Sequence, residues 1–353
     1  MADIFTRSKL NPILEPGYNG WWKIYNPAAA IDENAKVHLF PRVVGADLQS
    51  KIAHARATID NEHFLLDYQP ALAPIGPFET RGLEDPRVTR IGNQYHMAFA
   101  AYDGTDVDLL TATSSSLNGP WERKGPAVPD FRFTASGGVV VRWNGKTPYE
   151  VTSPKGRDHR SKSGALFPST IGGRFFLLFG EFRMWLATSD DGYHFDVIKR
   201  PFLEPRKGSR YFDSAFVEMG PPPLETDQGW LVFYHGVDER FRYQLGFLLL
   251  DRNDPTRILY RSAEPIFGPR EKYEIDPGPI DVFPGAVEAA RSRTPEGLAD
   301  FYHQAAQKGV VPQVVFCSGA LLIDDDIRLY YGAADSMVCT AVAPLRDILR
   351  GME

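Results

Sequence analysis

The stretch Trp230–Asp251, WLVFYHGVDERFRYQLGFLLLD, holds two apolar and aromatic runs, Trp230–Val237 and Tyr243–Asp251, separated by a short charged turn. Such a pattern reads as an antiparallel strand pair. Four more pairs of the same kind occur along the chain: Val37–Val44 with Lys51–Ala57, Tyr95–Tyr102 with Asp108–Thr113, Phe175–Phe182 with Met184–Ser189, and Arg328–Asp335 with Met337–Ala343. Turn residues precede the later pairs, as Ile91-Gly92-Asn93, Ile171-Gly172-Gly173, Asp227-Gln228-Gly229 and Asp324-Asp325-Asp326. Trp121 and Phe195, each just past a polar turn, mark outer strands. Strand quartets repeated in this way predict an all-β, five-bladed β-propeller spanning residues 1–353 as one domain. A sandwich would need no fivefold recurrence.

Composition agrees with a folded, strand-rich chain. Its 353 residues carry 39 Lys and Arg against 45 Asp and Glu, a net charge of −6, which excludes a disordered chain and a polybasic nucleic-acid binder. The 31 Gly and 28 Pro are spread along the sequence and punctuate short strands. One helix is predicted, over Pro295–Gln307 with Thr294 as its N-cap, in an insertion of residues 284–308 before the last blade. No apolar h-region or membrane-length run is present, so the expected location is cytoplasmic, with neither membrane nor nucleic-acid partner. Cys317 and Cys339 lie in apolar runs and read as buried thiols. Zinc spacings, phosphate loops and dinucleotide fingerprints are missing, and no metal or cofactor is expected.

A propeller places its site where the innermost strands open, which singles out Gly82–Thr89, GLEDPRVT. Two adjacent carboxylates, a proline and an arginine stand there before a strand. Taken alone, the cluster also fits a solvated turn or a local ion pair. Ser163–Pro168, Asp213 with Gly220–Pro223, and Val315–Ala320 open later units in the same manner.

Together with Tyr25-Asn26-Pro27, Leu39–Arg42, Trp230–Asp238, Leu250–Ser262 and Tyr331–Asp335, these stretches resemble glycoside hydrolase family 130, the mannoside phosphorylases and β-mannosidases built on a five-bladed propeller. The resemblance implies cleavage of a β-mannoside, with Asp85 of the Glu-Asp-Pro-Arg motif as catalytic acid. A carboxyl beside Glu84 and partly desolvated is expected to keep its proton near neutral pH. Asn26, Arg42, Asp213, His235 and Asp335 match positions that line the sugar subsite, and Glu84, Arg87 and Lys162 complete the expected set. For single residues a structural role stays open: Asn26 capping a turn, Arg42 pairing with Glu84, His235 satisfied in a core.

What attacks the anomeric carbon depends on cations. The family's phosphorylases carry a basic residue before the Ala-Leu-Phe-Pro stretch, an arginine at the end of the next strand and a lysine before the Gly-Pro-Pro-Pro turn; here those positions are Lys162, Gly180 and Phe216. Glu181 and Glu218 stand close by instead. Glutamates near these places resemble the family's hydrolases, known for β-1,2-mannosidase activity. The expected reading is therefore an exo-acting, inverting β-mannosidase that releases mannose from a manno-oligosaccharide. Asp85 is its acid and Glu181 or Glu218 activates water, at a carboxyl separation of about 6.5–9.5 Å. The alternatives are a phosphorylase that uses inorganic phosphate and forms mannose 1-phosphate, and a sugar-binding propeller without turnover. Association into a homo-oligomer is left open. Lower-ranked features are the basic run Lys155–Lys162, sugar stacking on Trp21, Trp22 or Trp185, and Tyr302 and His303 reaching over the channel mouth.

Overall fold

Asn-Pro and Asp-Pro steps inside two strands set the geometry of this protein. The computed structural model describes residues 4–103, 107–131, 161–240, 242–275, 313–350 and 352, with 140–143 and 148–151 as backbone. Among these residues the architecture is all-β. Its only helical segments are a single turn at Tyr18–Gly20 and the short helices Lys272–Ile275 and Leu345–Arg350.

The strands run as up-and-down antiparallel meanders. Lys23–Ile31 pairs with Val37–Val44, which pairs in turn with Ser50–Ile52 and Ala55–Ala57, and Phe64–Leu66 forms the outer edge. Gly82–Ile91, Gln94–Tyr102, Val107–Ser114 and Glu122–Pro126 make the next meander. One parallel contact, Ser50 to Gly82, joins the two into a nine-stranded sheet. Ala165–Leu166, Phe175–Phe179, Trp185–Ser189 and Asp196–Val197 form a four-stranded sheet. Phe216–Met219, Gly229–Val237, Tyr243–Leu250 and Ile258–Arg261 form another, with Leu224–Thr226 on its flank. The last sheet, Val315–Ile323, Asp326–Ala333 and Met337–Pro344, is completed by Thr6–Arg7 from the opposite end of the chain. Val140–Trp143 and Pro148–Val151 make a separate ribbon.

All five expected strand pairs form, with local shifts that have simple causes. The run from Phe175 stops at Phe179 because Gly180 adopts φ +125° and turns the chain. Lys51–Ala57 is broken into two short strands. The final pair starts earlier, at Asp326, since Asp324 and Asp325 both take positive φ and form the turn themselves. Helix Leu345–Arg350 was not anticipated. The expected helix Pro295–Gln307, the 284–308 insertion, Tyr302, His303 and the basic run up to Arg160 lie outside the described residues.

Apolar layers fill the spaces between sheets. Phe167 meets Trp230 edge to face with centroids 5.2 Å apart, inside a cluster with Leu178, Leu186, Val232 and Leu248. Phe5, just before the N-terminal strand, packs against Phe233 and Phe267 and so secures the closure of the last sheet. Trp185 is spent in the same way: it is buried against Phe131, not presented to a ligand.

Proline places the functional side chains. It has no N–H to give to a ladder, so both Tyr25-Asn26-Pro27 and Glu84-Asp85-Pro86 interrupt their strands, and register shifts between Tyr25 and Ala28 and between Glu84 and Arg87. At each bulge the residue before proline takes φ +45°. That left-handed state is uncommon away from glycine and costs about 1–3 kcal/mol. It brings Asn26 and Asp85 into contact.

Candidate active site

Asp85 is buried, 4% exposed, and its Oδ1 accepts hydrogen bonds from Asn26 Nδ2 at 2.9 Å and Arg42 Nη1 at 3.4 Å. Arg42 also donates to Glu84 Oε1 at 2.6 Å, and its guanidinium lies 5.1 Å from the centre of the Tyr25 ring. Burial pushes the Asp85 carboxyl up, but the charges of Arg42, Lys162 and Arg87 and the Asn26 amide outweigh it and hold the group below its ordinary value. This corrects the expectation that Glu84 keeps a proton on Asp85: Arg42 draws Glu84 into an ion pair of its own. Asp335 carries the raised value instead. Burial first, then the charge of Asp85, push it up to about 6, while Lys23 and Arg42 pull the other way. Lys23, half-buried close by, is lowered to about 8, mainly by desolvation.

Glu218 anchors the other half of the site. It is fully buried on strand Phe216–Met219, directly across the ladder from His235. Its Oε1 accepts from the Ser163 hydroxyl and lies 3.9 Å from Lys162 Nζ, which is also 3.5 Å from Glu181 Oε1. Oε2 is buried without a partner. Burial pushes Glu218 up to about 7, against the pull of Lys162 and with the added push of Glu181. Lys162 stays charged, because its carboxylate neighbours overcome the cost of burying it. Asp85 and Glu218 are linked by Arg87, whose Nη1 donates to Asp85 O and whose Nη2 and Nε donate to Met219 O and Gly220 O. Arg87 was expected to bind substrate. Its guanidinium is instead occupied by three carbonyls and staples two inner strands.

Two other expected residues have different surroundings. Asp213 does not join the cluster: Arg206 Nε donates to its Oδ1 at 2.7 Å, and Tyr234 Oη at 2.8 Å and Arg261 Nη2 at 2.5 Å donate to its Oδ2. His235 accepts the Cys317 N–H on Nε2 at 2.8 Å and stacks on Phe316 at 4.3 Å. Burial, then Arg87, push it down to about 3, so the ring is neutral with its hydrogen on an unpartnered, buried Nδ1.

Asn26, Arg42, Glu84, Asp85 and Asp335 thus meet at one side, and Lys162, Glu181, Glu218 and His235 at the other. Residues not singled out from sequence join them. Ser163 is one, through its hydrogen bond to Glu218. Tyr25 and Tyr243 are held protonated mainly by burial, Tyr243 next by the charges of Glu218 and Glu181. Lys23 and Tyr25 were findable, since they share a strand face with a spacing of two just before Asn26. Among the described residues no group of three His, Cys, Asp or Glu is arranged to hold a metal.

An all-β chain with buried carboxylates at its inner strands fits the class of enzymes that act on glycosidic bonds. A family model described as beta-1,4-mannooligosaccharide phosphorylase matches residues 15–300, and the chain belongs to that family, glycoside hydrolase family 130. A 1,2-beta-oligomannan phosphorylase of Thermoanaerobacter sp. (strain X514) is 28% identical over 350 residues, covering 96% of each chain. The beta-1,2-mannobiose phosphorylase of Listeria innocua is 30% identical over 302 residues, 83% of this chain and 66% of that protein. A solved structure of the Listeria innocua enzyme with beta-1,2-mannobiose shares the fold, with TM-score 0.73, 24% identity and 99% of each chain covered. So does a structure described by the statement that this family of mannoside phosphorylases contains glycoside hydrolases that target beta-1,2 mannosidic linkages in Candida mannan. Its TM-score is 0.74 at 24% identity, over 98% of this chain and 95% of that one.

Proposed function

We propose that this protein cleaves a β-mannosidic bond at the end of a short manno-oligosaccharide with inversion, and that water is the attacking group. Its meanders act as five blades around a channel lined by the inner strands. Asp85, ionised in the folded chain, takes up a proton from solvent and gives it to the leaving oxygen as the C1–O bond breaks. Glu218 takes a proton from the water whose oxygen bonds to C1. The released sugar is mannose.

One observation supports the choice of water: Glu218, buried and with one oxygen unpartnered, stands close to the positions that the resemblance gives to the phosphate clamp, 3.9 Å from Lys162. A carboxylate there repels an anion and serves water. The two missing clamp positions support the same reading. Gly180 has φ +125°, and a Cβ on it would fall 2.2 Å from Arg183 O. Phe216 is buried between Phe182 and Tyr243.

The relatives favour a second reading. Both curated proteins named above are phosphorylases, and Lys162 supplies the cation on which phosphorolysis would depend. Incubation of β-1,2-mannobiose with and without inorganic phosphate separates the two. Mannose formed at the same rate in both is expected; mannose 1-phosphate as the main product overturns the choice of water. Glu218→Gln is expected to lose about 10²–10⁴-fold in turnover, and full activity in it removes Glu218 as the base.

A further inference from the structure

We infer that Ser163 is a positioning residue for Glu218: its hydroxyl commits one carboxylate oxygen and leaves the other to face the attacking group. This rests on Glu218 being the base.

The geometry is asymmetric. Ser163 Oγ and Lys162 Nζ both lie on the Oε1 side, while Oε2 is buried without a partner. An unpartnered carboxylate oxygen in the interior is costly, so its place marks a group the protein alone does not supply.

Ser163 itself is strained for this contact. It is 1% exposed and has φ +53°, a backbone state that serine seldom adopts, and it sits between Lys162 and Gly164 at the opening of the inner strand Ala165–Leu166. The strain turns its hydroxyl away from the strand ladder and toward Glu218. Among the described residues, the charged or titratable groups facing Glu218 are Lys162 from the same segment, Glu181 from the hairpin after Phe179, Arg87 from strand Gly82–Ile91, and His235 and Tyr243 from the two strands beyond its own. Among them Ser163 is the neutral donor aimed at the carboxylate. A donor to the charged form favours that form, so the hydroxyl keeps the base ionised as well as oriented.

The test compares Ser163→Ala with Ser163→Gly, the second of which suits the φ at this position. The protonated-carboxyl infrared band that vanishes in Glu218→Gln is followed against pH in each. Loss of the donor is expected to move its midpoint up by about one unit or more, since a hydrogen bond to a charged group contributes about 1.5–3 kcal/mol and one unit is 1.36 kcal/mol. Turnover is expected to fall by about tenfold or more at pH 7 with KM little changed. An unmoved midpoint in folded Ser163→Gly overturns the positioning role. Full activity in Glu218→Gln overturns the base assignment beneath it, and the midpoint shift distinguishes that failure from the first.

Discussion

Asp85 and Asp213 are both buried carboxylates preceding or inside inner strands, and both were expected to serve the sugar site, yet their surroundings differ in kind. Asp213 has both oxygens taken by Arg206, Tyr234 and Arg261. Asp85 receives both of its donors on Oδ1, and around it lie polar atoms with nothing to bind, among them Asn26 Oδ1 and Arg42 Nε. A buried charge fully served by protein groups is a structural joint. One served in part, among other underserved groups, is equipped for a ligand.

The contrast is tested first by Asp85→Asn. We expect turnover to fall about 10³-fold, with a loss of stability smaller than in Asp213→Asn because Arg42 keeps its ion pair with Glu84. Asp213→Asn should do the reverse: a loss of about 3–5 kcal/mol in stability, read by denaturant unfolding, as two arginines lose their carboxylate, with activity per folded molecule retained in the cold. Loss of activity in Asp213→Asn with unaltered stability would erase the distinction.

Gly332→Ala sharpens it next. A Cβ at that position would fall 1.9 Å from Asn26 Oδ1, so Asn26 must move and Asp85 loses the shorter of its two donors. We expect about 10²-fold lower turnover, the cost of a misplacement of about 1 Å. The equivalent crowding beside Asp213, Gly236→Ala, meets Asp213 Cβ at 2.7 Å and the Phe212 ring at 2.4 Å, and should lower stability first.

The smallest effect concerns pH. The folded state raises Glu218 to about 7 from an ordinary 4.5, so it binds the proton more tightly than the unfolded chain does. The associated stability is present below pH 4.5 and is lost as pH rises through 7. Glu218→Gln should therefore be the more stable protein at pH 8, by about 2 kcal/mol, and lose that advantage as pH approaches 5. Asp213 has the opposite sign. Burial opposes ionisation, but Arg206, Arg261 and Tyr234 hold it below its ordinary value, so its contribution is present at neutral pH and lost on acidification. Thermal melts across pH 4–8 check both directions.

Strand pairs were legible because apolar runs and turn residues are local signals, and the five pairs fall where periodicity puts them. The two Pro bulges were not read: Gly82–Thr89 was placed before a strand, although a proline inside a strand announces a broken ladder. Pairings across the sheets were not legible. Arg42 pairing with Glu84 across 42 positions stood only as an open alternative, and Arg261 reaching Asp213 from 48 was not read at all. Without those partners the sequence could suggest a raised Asp85, and only the folded chain reverses the direction. Ser163 went unseen because a serine beside glycine before a strand is ordinary, and nothing local shows that its hydroxyl meets a glutamate 55 positions on.

Gly180 has one more consequence, and it concerns ancestry. If the family's phosphate-using and water-using members exchange roles through this position, the exchange cannot be made by one codon in the present backbone. An arginine here would bring its first carbon against the Arg183 carbonyl and would have to adopt a φ that side chains rarely accept. The hairpin from Phe179 to Trp185 would have to be rebuilt along with the charge. On the proposed reading, regaining a cation at this position takes a change of backbone as well as a change of side chain.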